Sequence, residues 1–148
     1  MTITWLGSFA PLAVDILLCI GIGTILIVDL ILPPGDKKVL GWGSLGVLCA
    51  CIAASFLIPC HGEAFGGAYS GSEFTLLLKQ VFLIAGALTM LVSLDYAQRN
   101  FPNRQGEYYL MLLCSILGMS MVTGANNLIL VAVCFELMGI PLYILAAF

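Results

Sequence analysis

Residues 128–148 read LILVAVCFELMGIPLYILAAF, an apolar run interrupted by one ionisable side chain, Glu136. Twenty or so apolar residues cross the roughly 30 Å of a bilayer's hydrocarbon as a helix. A carboxylate near the middle of such a helix costs roughly 2.5–3.5 kcal/mol on insertion scales, so its presence points to a proton or ion site with a partner elsewhere.

Outside this run the composition agrees. Of 148 residues, 61% are hydrophobic and 9% charged, and the mean hydropathy is +1.12. Soluble domains carry about 25% charged residues, so this chain is too poor in charge to cover a water-facing globule. It reads as an integral membrane protein in contact with the lipid bilayer. Five basic and eight acidic residues, with a net charge of −3, form no basic patch, which argues against nucleic-acid binding.

Five runs are long enough to span, at 9–32, 40–58, 74–94, 108–124 and 128–148. Proline, glycine and charge separate them: Pro33, Pro34, Gly35, Asp36, Lys37 and Lys38 after the first; Pro59, Gly62, Gly66, Gly67 and Gly71 after the second, read as a flexible loop. Asp95 to Glu107 reads as the loop between the third and fourth runs. The tight Gly124-Ala125-Asn126-Asn127 link makes the last two helices antiparallel neighbours. The expected fold class is all-α, a polytopic membrane helix bundle of about five transmembrane helices in one membrane domain over 1–148. Continuous runs of this length are too long for barrel strands.

Lys37, Lys38, Arg99 and Arg104 lie in the loops after the first and third runs, and the other two loops carry no Lys or Arg. The positive-inside rule puts the basic loops in the cytoplasm, with the N-terminus outside and Phe148 inside. Trp5, Trp42, Tyr69, Tyr96, Tyr108 and Tyr109 fall near span ends, as interfacial aromatics do. No Lys or Arg precedes Lys37, and the first run exceeds a signal peptide's apolar core, so it is expected to stay in the mature protein.

Six cysteines, Cys19, Cys49, Cys51, Cys60, Cys114 and Cys134, lie mostly in apolar runs and form no CxxC pair, so they read as small buried hydrophobes. The Cys60-His61 pair reads as a solvated loop rather than a ligand set. No metal and no cofactor is expected in this chain, which has no GxGxxG fingerprint.

Counting about 1.5 Å per residue from Leu128 puts Glu136 about 12 Å into its span, near the midplane. Ala132 and Gly139 flank it on the helix, leaving room for water or another helix. Pro141 leaves the carbonyl of Leu137 without its usual donor. Glu136 is therefore the candidate proton-relay residue, with Asn126, Asn127 and Pro141 as accessory positions along a proton path. Asp15 and Asp29 are read as interfacial, and Lys79 as snorkelling to the outer surface. Helix contacts are expected at Gly21, Gly23, Gly43, Gly46, Ala50, Ser120 and Gly124.

GEYYLMLL (106–113), LGM (117–119), GANNL (124–128) and ELMGIPLY (136–143) together resemble, in order and spacing, the N subunit of bacterial NADH-quinone oxidoreductase, respiratory complex I. The segment from Phe74 to Arg99, with Lys79 early and Asp95-Tyr96 late, is similar too. That family consists of antiporter-like subunits of about fourteen helices in two inverted halves. The resemblance implies that Glu136 is the fifth-helix glutamate that pairs with a lysine on a broken seventh helix. It covers this chain but only about the first third, the N-terminal portion, of such a subunit. The implied protein is a multi-pass subunit of the bacterial inner membrane, partnered by other membrane-arm subunits, with NADH, flavin, iron–sulfur clusters and quinone bound by other subunits. A five-helix piece by itself is expected not to move protons. Two other readings share the helical plan: a subunit of a multi-chain cation/proton antiporter, and a structural or assembly protein whose glutamate only fixes packing.

Overall fold

The computed structural model describes residues 10–32, 38–58, 61–101 and 104–148. Trp5, Pro33, Pro34, Gly35, Asp36, Lys37, Pro59, Cys60 and Pro102 lie outside the described residues.

A single 3-10 turn, Ala10–Leu12, leads into α1 (Ala13–Ile31). There follow α2 (Lys38–Leu57), a hairpin of β1 (Gly62–Ala64) and β2 (Tyr69–Gly71), α3 (Glu73–Asn100), α4 (Gln105–Val122) and α5 (Leu128–Ala146). Helices dominate because each run buries its backbone polar groups within itself, the one arrangement a single segment has in hydrocarbon.

Four of the five helices are long and apolar enough to cross a membrane. The exception, α4, starts with Gln105, Glu107, Tyr108 and Tyr109 and carries Ser115 and Ser120 farther along. It tolerates them because it is the central helix, packed against α1, α2, α3 and α5. Tyr109, Leu113, Ile116 and Gly118 of α4 are buried in protein. The other helices turn large apolar side chains outward, with Leu30, Leu57, Val92 and Leu128 each at least 80% exposed, as a lipid-facing surface requires.

Without a hydrophobic drive between helices in lipid, close packing depends on small residues. A Cβ on Gly118 would lie 2.6 Å from the backbone nitrogen of Met138, so α4 and α5 meet almost backbone to backbone. Gly86 of α3 makes room for the Ile116 side chain, Gly41 of α2 for those of Leu94 and Tyr109, and Gly21 of α1 for that of Val47. Of the expected contact positions, Gly43 touches Ile25, but Gly23 and Gly46 face open space and Ala50 is exposed.

The third helix runs past residue 94. Asp95 and Arg99, expected in a loop, are on its last turns, where they pair weakly at 3.9 Å across one turn with both side chains exposed. Its 28 residues extend about 42 Å, beyond the hydrocarbon, so polar residues continue the helix in water. Nor is the segment after α2 an open loop: Gly62, Glu63 and Ala64 pair antiparallel with Gly71, Ser70 and Tyr69. The turn between the strands holds Phe65, Gly66 and Gly67 at positive φ, a conformation that glycine adopts at no steric cost. The hairpin also takes in the α4–α5 link, through Ser70 N–H to the Gly124 carbonyl and Asn126 N–H to the Ala68 carbonyl, both 2.8 Å.

Among the aromatics, Trp42 and Tyr96 are exposed as expected, whereas Tyr69 and Tyr109 are fully buried. Phe148 closes the arginine-bearing end of the bundle with its ring 5.0 Å from that of Phe101.

Candidate functional site

Two acidic groups in the helices have contrasting surroundings. Asp15, in the first turn of α1, is enclosed by protein. It is 2% exposed, and its carboxylate takes three side-chain donors from three different elements. Lys79 Nζ of α3 donates to Oδ2 at 2.6 Å, the Tyr69 hydroxyl of β2 to the same oxygen at 3.1 Å, and Ser120 Oγ of α4 to Oδ1 at 2.5 Å.

Lys79 does not snorkel. It is fully buried, donates a second bond to the Pro11 carbonyl at 3.0 Å, and has the Tyr69 ring centroid 5.2 Å from Nζ. A buried charge is tolerated when its partner and hydrogen bonds come with it, and here the opposite charge is supplied by another helix of the bundle. Tyr69 sits over the pair, and Gly124 makes room for it: a Cβ there would overlap the ring.

Glu136, by contrast, is exposed, on the side of α5 that points away from the bundle, in the company of exposed Ile129, Val133, Phe135, Ile140 and Tyr143. Among the described residues its carboxylate has no hydrogen bond and no ion pair, and Lys79 is committed to Asp15. The burial expected from its depth in the span is thus not supplied by these five helices. Only 11% of the α5 span is buried within the bundle, the least of the four apolar helices.

The accessory positions lie apart from Glu136. Asn127 caps α5, its Oδ1 accepting from Ile129 N–H at 3.2 Å, and Asn126 joins the hairpin. Asn127 lies nine positions before Glu136, about 13 Å along the axis. Pro141 is buried on the bundle side of α5, opposite in exposure to Glu136. Asp29 is half-buried against the first turn of α4, where a Cβ on Gly106 would overlap its carboxyl group; an acid there complements the helix's positive end. His61 is exposed, and among the described residues no three His, Cys, Asp or Glu side chains converge.

The Asp15 cluster escaped the sequence reading although a signal was present. Asp15 begins one span and Lys79 lies just inside another, and both spans enter from the same side. Opposite charges at equal depth are candidates for a pair.

No protein-family profile matches the chain. It is 34% identical over 127 residues to NADH-quinone oxidoreductase subunit N 2 of Roseiflexus castenholzii, covering 84% of this chain and 25% of that protein. It is 35% identical over 131 residues to subunit N of a Geobacillus species, covering 84% and 27%. With subunit N of Parvibaculum lavamentivorans the identity is 31% over 148 residues, covering 99% of this chain and 30% of that protein. The chain spans between a quarter and a third of the length of these curated relatives. Along most of its own length, then, it is a multi-pass membrane relative of one portion of NADH-quinone oxidoreductase subunit N.

Proposed function

We propose that this chain forms part of a membrane-arm subunit of a proton-translocating NADH-quinone oxidoreductase in a bacterial inner membrane. Glu136 is the acid that takes up and releases a proton during turnover. NADH, flavin, iron–sulfur clusters and quinone belong, in this reading, to other subunits, and other membrane-arm subunits are its partners.

One observation carries the role of Glu136. A carboxylate more than two turns into an apolar helix, facing outward with no partner among the described residues, would meet lipid at a cost of about 2.5–3.5 kcal/mol. Covering that face with further protein that offers a base removes the cost and creates a pair able to exchange a proton. Proton uptake turns the carboxylate into a neutral acid and frees the base's charge; release restores the pair. Asn126 and Asn127, at the start of α5, stand at the approach to this face from the hairpin side, and Pro141 frees a carbonyl one helical turn before it, at Leu137.

Replacing Glu136 by Gln in the assembled complex keeps the shape and removes the titrating group. Membrane vesicles carrying Glu136→Gln should oxidise NADH with much reduced acidification. Undiminished pumping per NADH would leave Glu136 a packing residue and end this reading.

A further inference from the structure

At the hairpin end of the bundle, a column of hydroxyl groups descends from the surface to the buried Asp15–Lys79 pair. Exposed Ser72 caps α3, and its Oγ lies 3.0 Å from Thr75 Oγ1. Thr75, already buried, has its Oγ1 3.4 Å from the Ser70 carbonyl and 3.5 Å from the carbonyl of Thr123. The Thr123 hydroxyl donates to the Ser120 carbonyl at 2.7 Å, and the Ser120 hydroxyl to Asp15 Oδ1 at 2.5 Å. Four hydroxyl residues from two helices thus mark one route between water and one carboxylate, in a bundle whose other buried side chains are mostly apolar.

An ion pair that only joins helices needs no such column, and well-packed apolar residues would hold the helices as well or better. The ammonium also has holders of its own. The Pro11 carbonyl and the Tyr69 ring face remain on Lys79 when the carboxylate is neutral, so Asp15 can lose its charge without stranding its partner.

We propose that Asp15 is a proton-holding site filled from the hairpin side of the membrane, through Ser72, Thr75, Thr123 and Ser120 with water bridging between the hydroxyls. In the last step Ser120 Oγ takes the incoming proton while its own proton passes along the existing bond to Asp15 Oδ1. One O–H bond forms on the carboxylate, the bond broken at Ser120 is replaced, and no electron moves. The site changes from a neutral pair to a single positive charge on Lys79. The titratable groups around Asp15 are Lys79 from α3, Tyr69 from the hairpin, and the thiols of Cys19, Cys51 and Cys134 on α1, α2 and α5; α4 contributes the Ser120 hydroxyl. The site is separate from Glu136 and does not depend on the family reading.

The test is infrared difference spectroscopy on the protein carrying this chain, in sealed vesicles with the hairpin side outward. A drop in external pH should raise the carbonyl band of a protonated carboxylic acid, and Asp15→Asn should abolish it. Thr75→Val and Ser120→Ala keep the carboxylate and should slow the band's rise after a pH jump about tenfold or more. If Asp15→Asn does not fold, Asp15→Glu keeps the charge and identifies the band by its shift. A band absent at every pH where the protein stays folded, or one rising equally fast in both column variants, overturns the proposal. Absence of the band in the unsubstituted protein, with normal Glu136-dependent pumping, would sink this site alone.

Discussion

Lys79 Nζ lies 2.6 Å from Asp15 Oδ2, joining α3 to α1 between residues 64 apart in the chain, with both side chains almost entirely removed from the surface. Three consequences of burial follow from that one distance. The charges neutralise each other, each loses its freedom to seek water, and removing Lys79 alone strands the carboxylate.

Single removal should therefore cost more than double removal. Lys79→Met leaves a buried carboxylate with only the Tyr69 and Ser120 hydroxyls, and should destabilise the bundle by about 3–5 kcal/mol. Asp15→Asn combined with Lys79→Met leaves no charge behind and should recover most of that loss. A double-mutant cycle from thermal unfolding in detergent measures the coupling; additive effects would mean the pair contributes nothing as a pair.

At the crossing of α4 and α5 the limiting group is a hydrogen. Gly118→Ala would set a Cβ 2.6 Å from Met138 N and 3.0 Å from the Cys134 carbonyl oxygen, which are backbone atoms with no rotamer to yield. The expected loss is about 1–3 kcal/mol. Gly46→Ala, with nothing within 4 Å of its added Cβ, should go the other way and stabilise α2 by about 0.5–1 kcal/mol. Melting temperatures of the two variants on opposite sides of the parent check both statements at once.

How far the sequence reveals this fold depends on the kind of signal. The five helices are legible because apolar runs near 20 residues have one stable form in lipid, and their ends near Ile31, Leu57 and Val122 follow from proline, glycine and charge. The end of α3 is not legible, since Asp95 and Arg99 are as content in a water-exposed helix as in a loop. Which face of each helix points inward is the harder matter. Helices apolar all round carry no polar stripe to orient them, so Gly21 and Gly118 at contacts look no different in sequence from Gly23 and Gly46 in the open. The same blindness placed Glu136 correctly in a span but could not say that its side chain turns outward, and it hid the meeting of Asp15 with Lys79.

Because Glu136 has no partner within these helices, its role can be separated from stability. Glu136→Gln should leave the unfolding of this five-helix bundle within about 0.5 kcal/mol of the parent, as for other exposed positions without a structural task. A loss near that of Lys79→Met would mean that the carboxylate holds the bundle together. In that case reduced pumping in the complex would no longer point to proton exchange at this side chain.

Tyr69 fills two roles that substitution can split. Tyr69→Phe keeps the ring that Gly124 accommodates but deletes the hydroxyl that donates to Asp15, a bond to a charged acceptor worth about 1.5–3 kcal/mol. Gly124→Ala keeps the hydroxyl but drives a Cβ into the ring, and the ring cannot simply retreat. The strand that bears it is tied on both sides, by Ser70 N–H to Gly124 and by Asn126 N–H to Ala68. Amide hydrogen exchange at Ser70 and Asn126 separates the cases. Both amides should stay protected in Tyr69→Phe, whose backbone pairing is untouched, and exchange faster in Gly124→Ala, where the ring can move only if the pairing gives way. Equal protection in the two variants would show that the hairpin yields elsewhere, and that Tyr69 is not wedged between Gly124 and the buried pair.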